Sequence, residues 1–84
     1  MALQNIIATS ANATRQSAET HRISAISNIE NALIDHQYSP EQEKRLRRLL
    51  RILNDSANDS PDRKLAVLEV NVIPALVGLG LVTT

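Results

Sequence analysis

The sequence contains no cysteine, no tryptophan and no phenylalanine, and Tyr38 is its only aromatic residue. Without cysteine there is no disulfide framework and no Cys-rich zinc site, and the redox compartment leaves no mark on the chain. Without large rings, the core has to be assembled from Leu, Ile, Val and Ala. Aromatic side chains bury the most area each, so an isolated copy is expected to be only modestly stable. The same lack removes the stacking platforms on which single-stranded nucleic acids are held. A net charge is missing too: nine basic residues balance nine acidic ones. That argues against a globally basic nucleic-acid protein and against an acidic disordered tail. The N-terminus has neither a positive leader nor a sustained apolar run, so no secretory signal is expected. The longest uninterrupted apolar run, 72–82, would span about 16 Å as a helix, too short to cross a bilayer. The expected location is therefore cytoplasmic.

At 84 residues the chain fits one domain, 1–84, with 1–14 as a flexible or helical N-terminal arm. Surface scaling gives a folded area of roughly 4,900 Å² against about 13,000 Å² extended, a thin margin for a domain standing alone. Oligomerisation is a common remedy at this size. Charge is unevenly spread: residues 1–38 sum to −1, residues 39–54 to +3 and residues 55–84 to −2.

The uncharged stretch 1–14 carries Leu3, Ile6 and Ile7 on one potential helical turn. A first clear helix is predicted from Ser17 to His36, where Ala18, Ala25, Ile26, Ile29, Ala32 and Leu33 share one side. Arg15 and Arg22 fall on that same side, and both are expected at the rim with their heads in water. The next helix has the strongest start signal. Ser39 is a candidate N-cap, Pro40 takes the first helical position, and Gln42 stands at the capping-box spacing. Leu46, Leu49, Leu50 and Leu53 then mark a narrow apolar stripe, and the polar segment 54–60 ends the helix. Ser60-Pro61 repeats the start, and a third helix is predicted to Val77, on the stripe Leu65, Leu68, Val72, Ala75/Leu76 and Leu79. Residues 68–72 also alternate like a strand, but no partner strand is visible. Pro74 predicts a kink or a break within this helix. Gly78 and Gly80 suit a C-cap or a close backbone approach, and Gly-Leu-Gly is no phosphate loop because no helix follows it.

Three groups of residues are candidates for function. The third helix is apolar nearly all round, with Ala66, Val67, Val70, Ile73, Val77 and Leu81 opposite its main stripe. A helix of that kind is buried nearly all round. Its surplus surface is expected to meet a second copy or another protein, and Leu68, Val70, Ile73, Val77 and Leu81 are the interface candidates. The alternative is that the N-terminal segment folds over it as a fourth helix. A second group is the basic run Lys44, Arg45, Arg47, Arg48 and Arg51. Glu41 and Glu43 can pair with Arg45 and Arg47 at i,i+4. Lys44, Arg48 and Arg51 are left as one stripe opposite the leucines, a geometry for polyanion contact and equally for a solvated surface helix. Third, His21 and His36 are fifteen residues apart, more than about 20 Å along one helix, and cannot share a metal.

The expectation is therefore a small soluble all-α protein: a three- or four-helix antiparallel bundle completed by oligomerisation. No catalytic, metal-binding or cofactor-binding residues are identified. The expected function is non-enzymatic, as a protein-protein interaction or oligomerisation module. A nucleic-acid-associated protein acting through Lys44, Arg48 and Arg51 is the alternative.

Overall fold

Both Ser-Pro steps start helices. In a computed structural model describing residues 2–83, α3 (Pro40–Asp55) opens at Ser39 and α4 (Pro61–Ala66) at Ser60, each serine extended at φ −63° and ψ 157°. The Gln42 backbone N–H donates to Ser39 Oγ at 3.2 Å, and the Ser39 N–H donates to Gln42 Oε1 at 3.1 Å. Both halves of the capping box are thus made, and proline at the first helical position gives up only a donor that has no partner there. At Ser60 the Arg63 N–H donates to Oγ at 3.3 Å.

Two further helices precede these. α1 spans Ala2–Ser10 and α2 spans Ala18–Asp35. Ser17, the expected start of α2, stands just outside it in a turn with Thr14, whose N–H donates to Ser17 Oγ at 2.9 Å. α2 buries Ala18, Ala25, Ile29 and Ala32 on the predicted side, with Ile26 and Leu33 half-buried at its edge. Arg22 corrects the rim expectation: it is 6% exposed and lies among these residues. α3 buries Leu46, Leu49 and Leu53, three of its four predicted leucines, with Leu50 half-buried.

After α4 the chain continues without interruption through a π-helical segment, Val67–Val72, into α5 (Ile73–Gly78). The π segment answers Pro74. Proline has no N–H to give, and in an α-helix its ring collides with the carbonyl four residues back. Here the turns ahead of it widen, with the Ile73 N–H reaching the Leu68 carbonyl five residues back. The break expected from Pro74 is therefore absorbed as a change of helical pitch, and the strand alternative for 68–72 is not adopted. The rod stops in a Schellman arrangement. The Leu81 N–H donates to Leu76 O and the Gly80 N–H to Val77 O, both at 3.0 Å, with Gly80 at φ +74°. Glycine is needed at that angle, and the reversal turns Leu81 and Val82 back toward the core.

α1 supplies the fourth wall. Leu3 and Ile6 are buried against α2 and α5. The Gln4 side chain also clasps the C-terminal backbone, donating from Nε2 to Thr83 O at 2.8 Å and accepting from the Thr83 N–H at 3.2 Å. Thus the N-terminal segment does fold over the C-terminal rod, and the apolar surplus of that rod is smaller than the sequence implied. The centre of the core consists of Leu3, Ile6, Ile29, Leu46, Leu53, Leu68, Val72 and Leu76. Among the described residues there is no strand. The radius of gyration, 11.8 Å, equals the value of about 12 Å for a compact chain of this length.

If α1 is an integral wall, Ile6→Ala should cost about 2–5 kcal/mol and lower the melting temperature by about 10 °C or more. A frayed arm would lose less than about 0.5 kcal/mol. Urea and thermal unfolding followed by circular dichroism distinguish the two.

Candidate functional site

Two outward surfaces and one polar joint built around a buried arginine carry the chemistry. The joint begins at Arg22. Its Nε and Nη2 donate to Glu19 Oε1 and Oε2 at 2.7 and 2.9 Å, a two-pronged pair one helical turn apart. Nη1 crosses to α3 and donates to the Leu53 carbonyl at 2.9 Å. That carbonyl is among the last of α3 and has no partner within its own helix. It also accepts from the Ser56 hydroxyl at 2.8 Å. From α4, Lys64 Nζ reaches Glu19 Oε1 at 2.9 Å. The Arg22 and Lys64 hydrogen bonds hold the Glu19 carboxyl at a pKa of about 2, well below its ordinary 4.5. The bond to Glu19 in turn raises the Arg22 pKa further above its ordinary range. Together these bonds tie α2, α3 and α4 at one point. Arg15, also expected at the rim, does lie at the surface, where it makes an exposed pair with Asp62 at 3.1 Å.

The first outward surface is on the C-terminal rod. Ala66, Val70, Pro74 and Val77 all point to solvent, Val70 at 68% exposure and Val77 at 38%. They recur at spacings of four, four and three residues and include no charge. Ile73 and Leu81 flank the line half-buried, each with one side against the core. Leu68 is removed from the candidate interface. It is buried in line with Val72 and Leu76, four residues apart each time, because the widened π turns keep that spacing facing inward. The sequence pattern singled out Val70 and Val77 but not Pro74, whose outward position follows from the same register.

The second surface is on α3. The predicted pairs form, Arg45 with Glu41 at 3.4 Å and Arg47 with Glu43 at 2.8 Å. Lys44, Arg48 and Arg51 are exposed and, among the described residues, make no ion pair. These side chains border an open trough, but every lining residue comes from one helix, so it has no second wall. A shallower groove between α2 and α3 is lined by Glu30, Leu33, Ile34, Arg47 and Leu50. His36 is the C-cap of α2, its ring 6.0 Å from that of Tyr38, and His21 is half-buried on the same helix. Among the described residues no three His, Asp or Glu side chains gather where they could hold a metal ion. Among the described residues no helix is long and apolar enough to cross a membrane.

Comparison with known protein families, with characterised proteins and with solved structures finds no match for the chain.

The joint makes two predictions. Arg22→Met leaves the Leu53 carbonyl with one fewer donor and should destabilise the fold by about 1–3 kcal/mol in urea titrations. The Glu19 carboxyl is depressed in the folded state, so its contribution is complete above pH 4.5 and is lost as the pH falls toward 2. The stability gap between the parent protein and Glu19→Gln should therefore narrow between those two pH values. A gap that does not change across that range would place the Glu19 charge outside the energetics of the joint.

Proposed function

We propose that the chain is a non-enzymatic interaction module, docking through the outer line of its C-terminal rod onto a second copy of itself. The observation that carries this reading is Val70, a β-branched apolar side chain 68% exposed in the middle of a charge-free line. Isolated apolar residues are ordinary on a protein surface. Four in register along one helix face, flanked by half-buried Ile73 and Leu81, are a strip that can be desolvated as a unit. Burying a valine fully contributes about 1.5–3 kcal/mol.

The shape of the strip favours self-pairing. Its side chains are short, so two helices can approach closely. A two-fold axis through Val70 and Pro74 would set each copy's line against the other's, the same patch serving both sides. The strip covers about 16 Å from Ala66 to Val77. That is less than the roughly 800 Å² per partner of a standard stable interface needs, and it suits a reversible dimer.

Light scattering on a size-exclusion column across a dilution series reads this directly. The expected result is a dimer that dissociates on dilution, with Val70→Asp or Val77→Asp monomeric throughout and Arg48→Glu unchanged in mass. Both valines are exposed, so circular dichroism should show the variants folded. A parent protein that is monomeric at every concentration rules out self-pairing and leaves a different protein as the occupant of the strip.

A further inference from the structure

A second surface lies on a different element and carries a different chemistry. Lys44, Arg48 and Arg51 stand at i, i+4 and i+7 on α3, all exposed and without an ion pair among the described residues. Beside them Arg45 and Arg47 are held by Glu41 and Glu43. Glu41 and Asp55 bound the stripe one turn before and one turn after it. On the far side of the helix Leu46, Leu49 and Leu53 are fixed in the core, so the three cations project from a rigid support.

We infer that this stripe contacts the phosphates of duplex DNA, one strand at a time and without reading its sequence. From Lys44 to Arg51 the stripe covers about 10 Å. Successive phosphates of one strand advance 3.4 Å along the duplex axis while winding around it, so a stripe of this length faces a short run of neighbouring phosphates. The side chains are long enough to absorb the mismatch in direction between a helix and a strand. Two other anionic partners fit less well. A helix that binds an acidic membrane surface lays its apolar face among the acyl chains, whereas the apolar face of α3 is committed to the core. A protein interface needs an apolar centre that can be desolvated, and no large side chain between the three cations is fully exposed and apolar. Single-stranded nucleic acid lacks its usual stacking partners, since Tyr38 is half-buried and lies outside α3. The zero net charge does not oppose this placement, because the acidic surplus lies elsewhere in the chain.

Three phosphate contacts set a salt slope of about −2.7 in log affinity against log salt, so binding should weaken about forty-fold between 50 and 200 mM. The probe is a fluorescent mixed-sequence duplex of about 20 base pairs, titrated by anisotropy with the full chain at several salt concentrations. Arg48→Gln with Arg51→Gln should flatten the slope to about −1. Arg15→Gln with Arg63→Gln, which changes net charge equally but lies off α3, should leave it near the parent value. All four positions are exposed, and circular dichroism verifies that both variants are folded. The inference is overturned if the duplex does not bind at low salt, or if the two double variants weaken binding equally. It is also overturned if vesicles containing phosphatidylserine capture the chain more tightly than the duplex does.

Discussion

The fold depends on a guanidinium group placed where one helix ends and another begins. Arg22 reaches from near the start of α2 to the last turn of α3, and its carboxylate partner Glu19 is shared with Lys64 on α4. An unpaired charge at that depth would cost several kcal/mol. It is held there because the surroundings supply an opposite charge and a carbonyl lacking a donor. Few other contacts in the chain are so directional. The rest of the core consists of branched aliphatic side chains, which fill space without prescribing the angle at which helices meet. In a core without large rings, this joint fixes how three helices are arranged around one point.

The C-terminal rod shows a second constraint, the division of a nearly all-apolar helix between inside and outside. Pro74 obliges the preceding turns to widen, and the widened turns bring Leu68, Val72 and Leu76 into one inward row. Residues beside that row are rotated away from it, which leaves Val70 and Val77 exposed while Val67 and Ile73 still touch the core. Gly80 then reverses the chain so that Val82 is buried and Thr83 meets Gln4. The two ends of the chain close over the same core, and what remains outside is a narrow strip.

The two surfaces proposed for function differ in what they can bind. The strip on the rod is apolar, short-chained and uncharged, and it suits a partner that excludes water. The stripe on α3 is cationic and fully wet, and it suits a partner that brings its own counterions. They lie on separate elements, so one molecule could use both, a dimer presenting two cationic stripes. Such an arrangement would raise apparent affinity for a long polyanion by linking two weak contacts.

The sequence by itself determined the local features. Ser39-Pro40 with Gln42 specified a helix start because every group in a capping box lies within three residues. Glu41 and Glu43 specified which arginines would be paired, since i,i+4 neighbours meet in any α-helix. The stripe Leu46, Leu49 and Leu53 specified the buried side of α3 for the same reason of period. Tertiary structure alone decided what covers each face. Arg15 and Arg22 occupy equivalent places in the periodic pattern, yet one pairs at the surface and the other is buried. The difference lies in the Leu53 carbonyl, thirty-one residues away from Arg22. Gln4 and Thr83 meet across seventy-nine residues, and no spacing rule could have placed Leu3 and Ile6 on the rod. Likewise Leu68 and Val70 are equally apolar in the sequence, and only the pitch imposed by Pro74 and the fit against three other helices sends one inward and the other out. Local hydrogen bonds follow from neighbours along the chain, while burial follows from which distant elements share a wall.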